Sequence, residues 1–252
     1  MNNINHMRIA IVSGGTGYLG SAVARMLARQ GMSVALLYNT AQKEKVQEIL
    51  ASLPGSSHKA YKGDICNYKE MQDAVDLIEK EMGEIFACIH TAGAKPQRKT
   101  LLNSSPQELE EAFLAHGIGS FIFLSVCAKI LQKRKRGVII GITTTGVVFP
   151  EATRYLGGYI PAKYALQGIL TLLKEELRES CVRVYSVAPG FMEGGMNSDI
   201  PKAFVEIFRR KSKTQSLTTP EDVAKKIAYL CSDKAGADNT LTHVVAPEYG
   251  AQ

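Results

Sequence analysis

At 252 residues, with 45% hydrophobic and 21% charged side chains, the chain has the make-up of a soluble globule with an ample core, and one α/β domain over 1–252 is expected. Its net charge of +6 is modest for this length and its basic residues are scattered, which suits anionic small molecules and does not require nucleic acid. The opening MNNINHM has no secretory pattern, the apolar stretch from Phe121 to Ile130 is interrupted by Ser125 and Lys129, and five scattered cysteines lack metal-ligand spacing to the histidines, so a cytoplasmic protein with reduced thiols, no membrane span and no metal is expected.

The first predicted strand, Ile9 to Val12, breaks at Ser13 into a glycine-rich turn, and helical spacing begins at Tyr18 with Leu19, Ala22, Val23, Met26 and Leu27 on one face. Gly14, Gly17 and Gly20 stand three apart. In a strand–turn–helix unit such glycines make the tight turn, admit a pyrophosphate and let helix meet strand, while the helix N-terminus faces the phosphate. No Gly-Lys-Ser/Thr follows, so this is not a kinase-type phosphate loop.

Strand and helix patterns then alternate to the end. Ser33 to Tyr38 is a strand, a helix runs from about Ala41 to Ser52, and a short strand from Lys59 leads into Gly63-Asp64. A helix follows over Tyr68 to Met82, then a strand over Ile85 to His90. Ser105-Pro106-Gln107-Glu108 is a capping box that starts a long helix. Gly137 to Thr143 is a strand, Gly158 to Glu179 a helix, and Val182 to Val187 a strand. A looser segment, Gly190 to Ser216, precedes a helix capped at Thr219, and Leu241 to Val245 closes the set. Seven strands separated by helices predict a doubly wound, parallel seven-stranded sheet with helices on both faces, the Rossmann fold, whose ligand sits outside the carboxyl ends of the strands.

Tyr159 and Lys163 are four apart near a helix start, so they share a face. A phenol titrates near pH 10, and an ammonium beside it favours the phenolate; lowering it by about three units takes roughly 4 kcal/mol. Thr143, Thr144 and Thr145 end the fifth strand, and a hydroxyl there, that of Thr144 or else of its neighbour Thr143 or Thr145, can hold a substrate oxygen beside the tyrosine. The end of the second strand, Tyr38-Asn39-Thr40, lacks the acidic residue that binds ribose hydroxyls in NAD enzymes. Thr40, with Asn39 or Lys43, can instead receive a 2'-phosphate, which favours NADP(H) over NAD(H).

With these residues assembled, the chain resembles the compact short-chain dehydrogenase/reductases over nearly its whole length, and its Thr218-to-Ala224 segment is similar to that of the 3-oxoacyl carrier-protein reductases. The glycine turn, Asp64, Ala92-Gly93, Tyr159-x-x-x-Lys163 and Pro189-Gly190 come in that family's order. The resemblance implies hydride transfer between a carbonyl and an alcohol, with Tyr159 as acid or base and Lys163 on the nicotinamide ribose. It further implies that Asp64 and Ile65 flank the adenine, that Ala92-Gly93 lie along the cofactor, and that Pro189, Gly190 and Phe191 shape the nicotinamide pocket. A homo-oligomer, tetramer or dimer, is implied as well.

Departures from the family pattern mark what is special here. Thr144 replaces the usual serine, and His90 an asparagine after the fourth strand. His116 stands where relatives place the asparagine of a proton relay; an imidazole can carry protons near neutrality, and both histidines can equally be packing residues. Tyr18 occupies a glycine position of the compact members. The run Lys133-Arg134-Lys135-Arg136 reads either as cations at a helix C-terminus or as a dock for an acidic acyl carrier protein. The substrate is expected between Val147–Gly158 and Gly190–Gln215. A non-redox dehydratase or epimerase, and a cofactor-binding protein without turnover, are the alternatives.

Overall fold

The computed structural model describes residues 8–55, 57–149, 154–212 and 214–247. Seven strands, β1 (Ile9–Ser13), β2 (Ser33–Tyr38), β3 (Lys59–Lys62), β4 (Ile85–His90), β5 (Gly137–Ile142), β6 (Val182–Pro189) and β7 (Thr242–Val245), form one sheet in the order β3-β2-β1-β4-β5-β6-β7. Every pairing is parallel. Alternate strand residues therefore bury on opposite faces. Ala10, Val12, Val34, Leu36, Ile89 and Ile140 face α1 (Tyr18–Arg29) and α8 (Pro220–Cys231). Ile9, Ile11, Leu37, Cys88, Ile139 and Val184 face α3 (Tyr68–Met82), α5 (Gly119–Arg134) and α6 (Tyr159–Glu176). The doubly wound sheet expected from the alternation is present.

The chain order reverses at β1, which pairs with β2 on one side and β4 on the other. This switch point opens a crevice at the carboxyl ends of the strands. The capping box holds: Ser105 accepts from the Glu108 amide, and Glu108 from that of Ser105. The helix it starts, α4 (Pro106–Phe113), passes through a π-helical turn, Leu114–Ile118, into α5. This composite run, Pro106–Arg134, is long and apolar enough by itself to cross a membrane, contrary to the reading that Ser125 and Lys129 cut it short. Its apolar side, including Ile122, Phe123, Val126, Cys127 and Leu131, is instead core packed on the sheet.

Two helices differ from expectation. The second, α2, spans only Lys43–Ala51. The segment read as loose contains α7 (Lys202–Lys211), which begins after Pro201 and buries Val205. All five cysteines are free thiols, and no group of three or more His, Cys, Asp or Glu among the described residues is placed to hold a metal.

Candidate active site

The turn after β1 is shaped by contacts that only glycine permits. Gly14 has φ +66°, and a Cβ there would come within 2.8 Å of the Ala92 backbone. At Gly20 a Cβ would lie 2.2 Å from Gly14 O, so that residue allows α1 to close on the turn. Gly15, outside the three-apart spacing, is also tightly enclosed: a Cβ would lie 2.7 Å from the Leu36 side chain and 3.0 Å from Val12 O. The N-terminus of α1 has Gly17 as its cap, no side-chain capping bond and no acidic residue in its first turn. Its amides thus remain free to bind an anion, and a dinucleotide pyrophosphate fits this donor set.

Around this turn, the sequence-predicted residues gather at the carboxyl ends of successive strands. Asn39 and Thr40 follow β2 and are exposed, while Asp64 and Ile65 follow β3. Asp64 accepts from the Cys66 amide (2.9 Å), and Ile65 packs where Gly119 leaves space. Ala92 and Gly93 follow β4. Pro189 ends β6, Gly190 is tied to Val245 O (2.9 Å), and Phe191 stacks on Phe208.

Tyr159 opens α6, and Lys163 lies one turn on with its Nζ 5.5 Å from the phenol ring centre. Lys163 is buried and donates to Ile142 O at the end of β5 (2.8 Å). Burial draws its ammonium down to about 7. The phenol of Tyr159 is pushed up, chiefly by burial, with the Arg98 guanidinium pulling the other way. The expected lowering of Tyr159 by Lys163 is therefore not what the protein alone provides: both buried groups are driven toward their neutral forms. Arg98, unmarked in the sequence reading, is the charge that opposes this.

Of the three threonines, Thr143 is committed to Ser186 Oγ (2.8 Å) and Val187 O (3.3 Å). Thr144 Oγ1 accepts from the Gly146 amide (3.4 Å), which leaves its own proton for an oxygen in the crevice. His116 sits in the π-helical turn, buried, with its ring edge-on to Tyr159. Its Nε2 lies 2.9 Å from Ala94 O, and its Nδ1 is buried without a partner against Gly93, where a Cβ would fall 2.7 Å away. Burial, then the Lys163 charge, lowers it to about 3 against the raising effect of the Ala94 bond. Burial therefore favours the neutral imidazole and opposes a relay that needs His116 protonated near neutrality.

His90 belongs to a buried chain of hydrogen bonds. Ser120 Oγ donates to His116 O (2.6 Å) and so accepts from His90 Nε2–H (2.8 Å). His90 Nδ1 is then the acceptor for Ser13 Oγ–H (2.9 Å), and burial lowers this ring also to about 3. The chain links the glycine turn to the π-helical turn.

A groove beside Tyr159 and His116 is lined further by Pro96, Gln97, Glu108 and Ala112. Residues 150–153 of the expected substrate loop lie outside the described residues, and Tyr155 faces solvent under Arg154. The basic run is at the other end of the sheet: Arg134 pairs with Glu79 (2.6 Å) and donates to Ile85 O at the start of β4.

Residues 17–246 match the family model described as enoyl-(acyl carrier protein) reductase. A 2,3-dihydro-2,3-dihydroxybenzoate dehydrogenase of Bacillus subtilis is 28% identical over 243 residues, covering 91% of this chain and 90% of that protein. In fold, an actinorhodin polyketide ketoreductase with NADPH superposes with a TM-score of 0.87 at 20% identity, covering 98% of both chains. An NAD+-bound xylitol dehydrogenase gives 0.88 at 18% identity, covering 98% of this chain and 100% of the other. The matched span, the sheet order and the relatives over nine-tenths of the chain establish that this protein belongs to the short-chain dehydrogenase/reductase family, whose members are oxidoreductases acting on CH-OH groups.

Proposed function

We propose that the protein interconverts a carbonyl and an alcohol with NADP(H), using Tyr159 as general acid and base. The observation that carries this is the placement of Tyr159 and Lys163 at the start of α6, beside the end of β5 and Thr144, in the crevice that the glycine turn opens. The free main-chain amides at the N-terminus of α1 would hold the pyrophosphate, Asp64 and Ile65 the adenine, and Lys163 the nicotinamide ribose, with Ala92, Gly93, Pro189, Gly190 and Phe191 along the nicotinamide half. When bound, the dinucleotide supplies the hydride, and in its oxidised form a positive charge close to the phenol.

In reduction, Tyr159 Oη, kept protonated by burial, gives its proton to the carbonyl oxygen, and Thr144 donates a hydrogen bond to the same oxygen. In oxidation Tyr159 takes the alcohol proton, a step favoured by every positive charge near it: Arg98 in the protein itself, and Lys163 once its ammonium is held. His116 orients the phenol ring and stays neutral.

NADP(H) is favoured because Asn39 and Thr40 are exposed after β2 with no carboxylate among residues 38–40. The substrate is a small ketone or alcohol, a free 3-oxoacyl thioester included. A carrier protein is left out, because Arg134 of the basic run is committed to Glu79 and Ile85 O, far from the carboxyl ends of the strands. We read the protein as a cytoplasmic homo-oligomer. Leu114, Ile118 and Phe121 at helical spacing, and Tyr164 and Leu172 on α6, are exposed apolar side chains on adjacent helices.

Turnover of NADPH and of NADH with a panel of ketones, diketones and 3-oxoacyl thioesters tests the reading. Activity should appear with NADPH and fall at least about a thousandfold in Tyr159→Phe, in keeping with loss of the proton donor. Cofactor binding without turnover of any substrate would overturn the redox assignment, and NADH preference would overturn the cofactor choice.

A further inference from the structure

The segment after β6 crosses the crevice as a strap tied at both rims. On the rim of the glycine turn, Tyr18 Oη donates to Glu193 O (2.8 Å). The Tyr18 ring lies flush against Gly194 and Gly195: a Cβ at 194 would sit 3.2 Å from Tyr18 Cζ, and one at 195 only 2.7 Å from Tyr18 Cδ1. Both glycines have positive φ, +94° and +56°, so the strap takes a path that side chains at these positions would resist. On the opposite rim, Arg98 Nη2 donates to Met196 O (3.1 Å) and Asn197 Oδ1 (2.8 Å), and Lys95 pairs with Asp199 (3.3 Å). Asn197 Nδ2 closes the strap on itself through Met192 O (2.8 Å).

Tyr18 is thus the first residue of the helix whose free amides suit a pyrophosphate, and it also anchors the segment that meets Arg98 beside Tyr159. Tyr18 is 48% exposed, so this anchor contributes little to the core. A single hydrogen bond and one ring contact are weak enough to open and re-form.

We propose that Tyr18 is a positioning residue that fastens the strap 193–199 over the bound dinucleotide, so that holding the cofactor and closing the substrate side are one event. This rests on the nucleotide-cleft reading above and adds to it, since that reading requires only the main-chain amides at the N-terminus of α1. Gly194 and Gly195 are part of the same device, because they make the room that the ring occupies.

The test measures release of NADPH, by stopped-flow displacement with excess NADP+, together with hydrogen exchange of the strap amides in the NADPH complex. Tyr18→Phe, which loses only the bond to Glu193 O, should release NADPH about fivefold faster, and Tyr18→Ala at least about tenfold faster. Gly195→Ala keeps Tyr18 whole but drives the strap off its ring, and should match Tyr18→Ala in release and in strap exchange. The proposal falls if Tyr18→Ala speeds release while Gly195→Ala releases at the wild-type rate, since Tyr18 would then act by touching the cofactor alone. It falls equally if release and strap exchange are unchanged in all three variants. Wild-type protein that binds neither NADPH nor NADH would instead overturn the cleft reading, and this proposal with it.

Discussion

His116 meets Tyr159 edge to face, ring centres 4.9 Å apart at 85°, while its Nε2–H is spent on Ala94 O. The contact fixes the phenol from the side, and the imidazole that makes it is held neutral, at about 3. His116→Asn should therefore lower kcat by roughly fivefold, through loss of a ring contact of about 1 kcal/mol, without removing a limb from the pH–rate profile. The comparison of profiles from about pH 5 to 8 decides it. A limb present in the wild type and missing in the variant would return the proton to His116.

His90 and His116 also tie stability to pH. Each titrates near 6.5 when unfolded and is drawn to about 3 in the folded protein, chiefly by burial. Below 6.5 the unfolded chain binds protons that the folded one refuses. Their contribution is thus complete above pH 6.5 and lost progressively as the pH falls toward 3. At pH 5 the loss is about 2 kcal/mol for each ring, so urea midpoints should drop clearly between pH 7 and pH 5. The double variant His90→Asn/His116→Asn should flatten that drop, and an equal drop in the variant would place the acid sensitivity in other groups.

Much of this was legible locally. The strand–turn–helix of Arg8–Gly20 announces itself because three glycines interrupt an apolar run, and Ser105 and Thr219 begin helices through contacts only three residues long. The long-range ties were not legible. Tyr18 and Glu193 are 175 residues apart, Arg98 and Asn197 are 99 apart, and a glycine pair in a loop reads the same whether or not a ring fills its space. The π-helical turn at Leu114–Ile118 changes no composition, so nothing in the chain advertises it. For α7 there was a signal: Phe204, Val205 and Phe208 follow Pro201 at helical spacing, hidden among basic residues. The direction of the Tyr159 shift was missed because burial, a property of the whole fold, outweighs one neighbouring charge.

Arg98 acts on the site in two ways, by holding Met196 O and Asn197 and by lowering the phenol. Arg98→Met keeps the length and removes the charge. For alcohol oxidation, which needs the phenolate, the rising limb of the rate should move to higher pH, because the phenol loses the charge that lowered it. The KM for substrate should rise as well, since the strap loses a tie. An unshifted limb in the variant would show that the guanidinium does not govern the phenol.

Cofactor choice is predicted to turn on Thr40. A carboxylate there would repel a 2'-phosphate and accept from ribose hydroxyls. Thr40→Asp should raise the KM for NADPH at least about tenfold, as like charges in contact cost more than about 1.4 kcal/mol. It should also lower the KM for NADH. The ratio of kcat/KM for the two cofactors, before and after substitution, is the measurement. A ratio left unchanged would move the phosphate site away from the end of β2.

Leu114, Ile118 and Phe121 leave one apolar edge on the helix that carries His116, and Phe121 is 54% exposed. Across from it on α6, Gly168 has nothing within 4 Å of a Cβ, and Tyr164 and Leu172 flank it, so the two helices offer a nearly flat face. Apolar side chains in that number are costly to leave in water and favourable to cover with a second copy of the same face, since a twofold contact needs only one patch. Phe121→Glu would place a carboxylate in the centre of such a contact, where it would meet its own copy or bury without a partner, at a cost of several kcal/mol per dimer. Sedimentation velocity should show an oligomer for the wild type and monomer for the variant, with a lower melting temperature in the variant because α5 and α6 lose their cover. A wild-type protein that sediments as a monomer at micromolar concentration, or a variant that keeps the wild-type assembly, would remove this face from the oligomer.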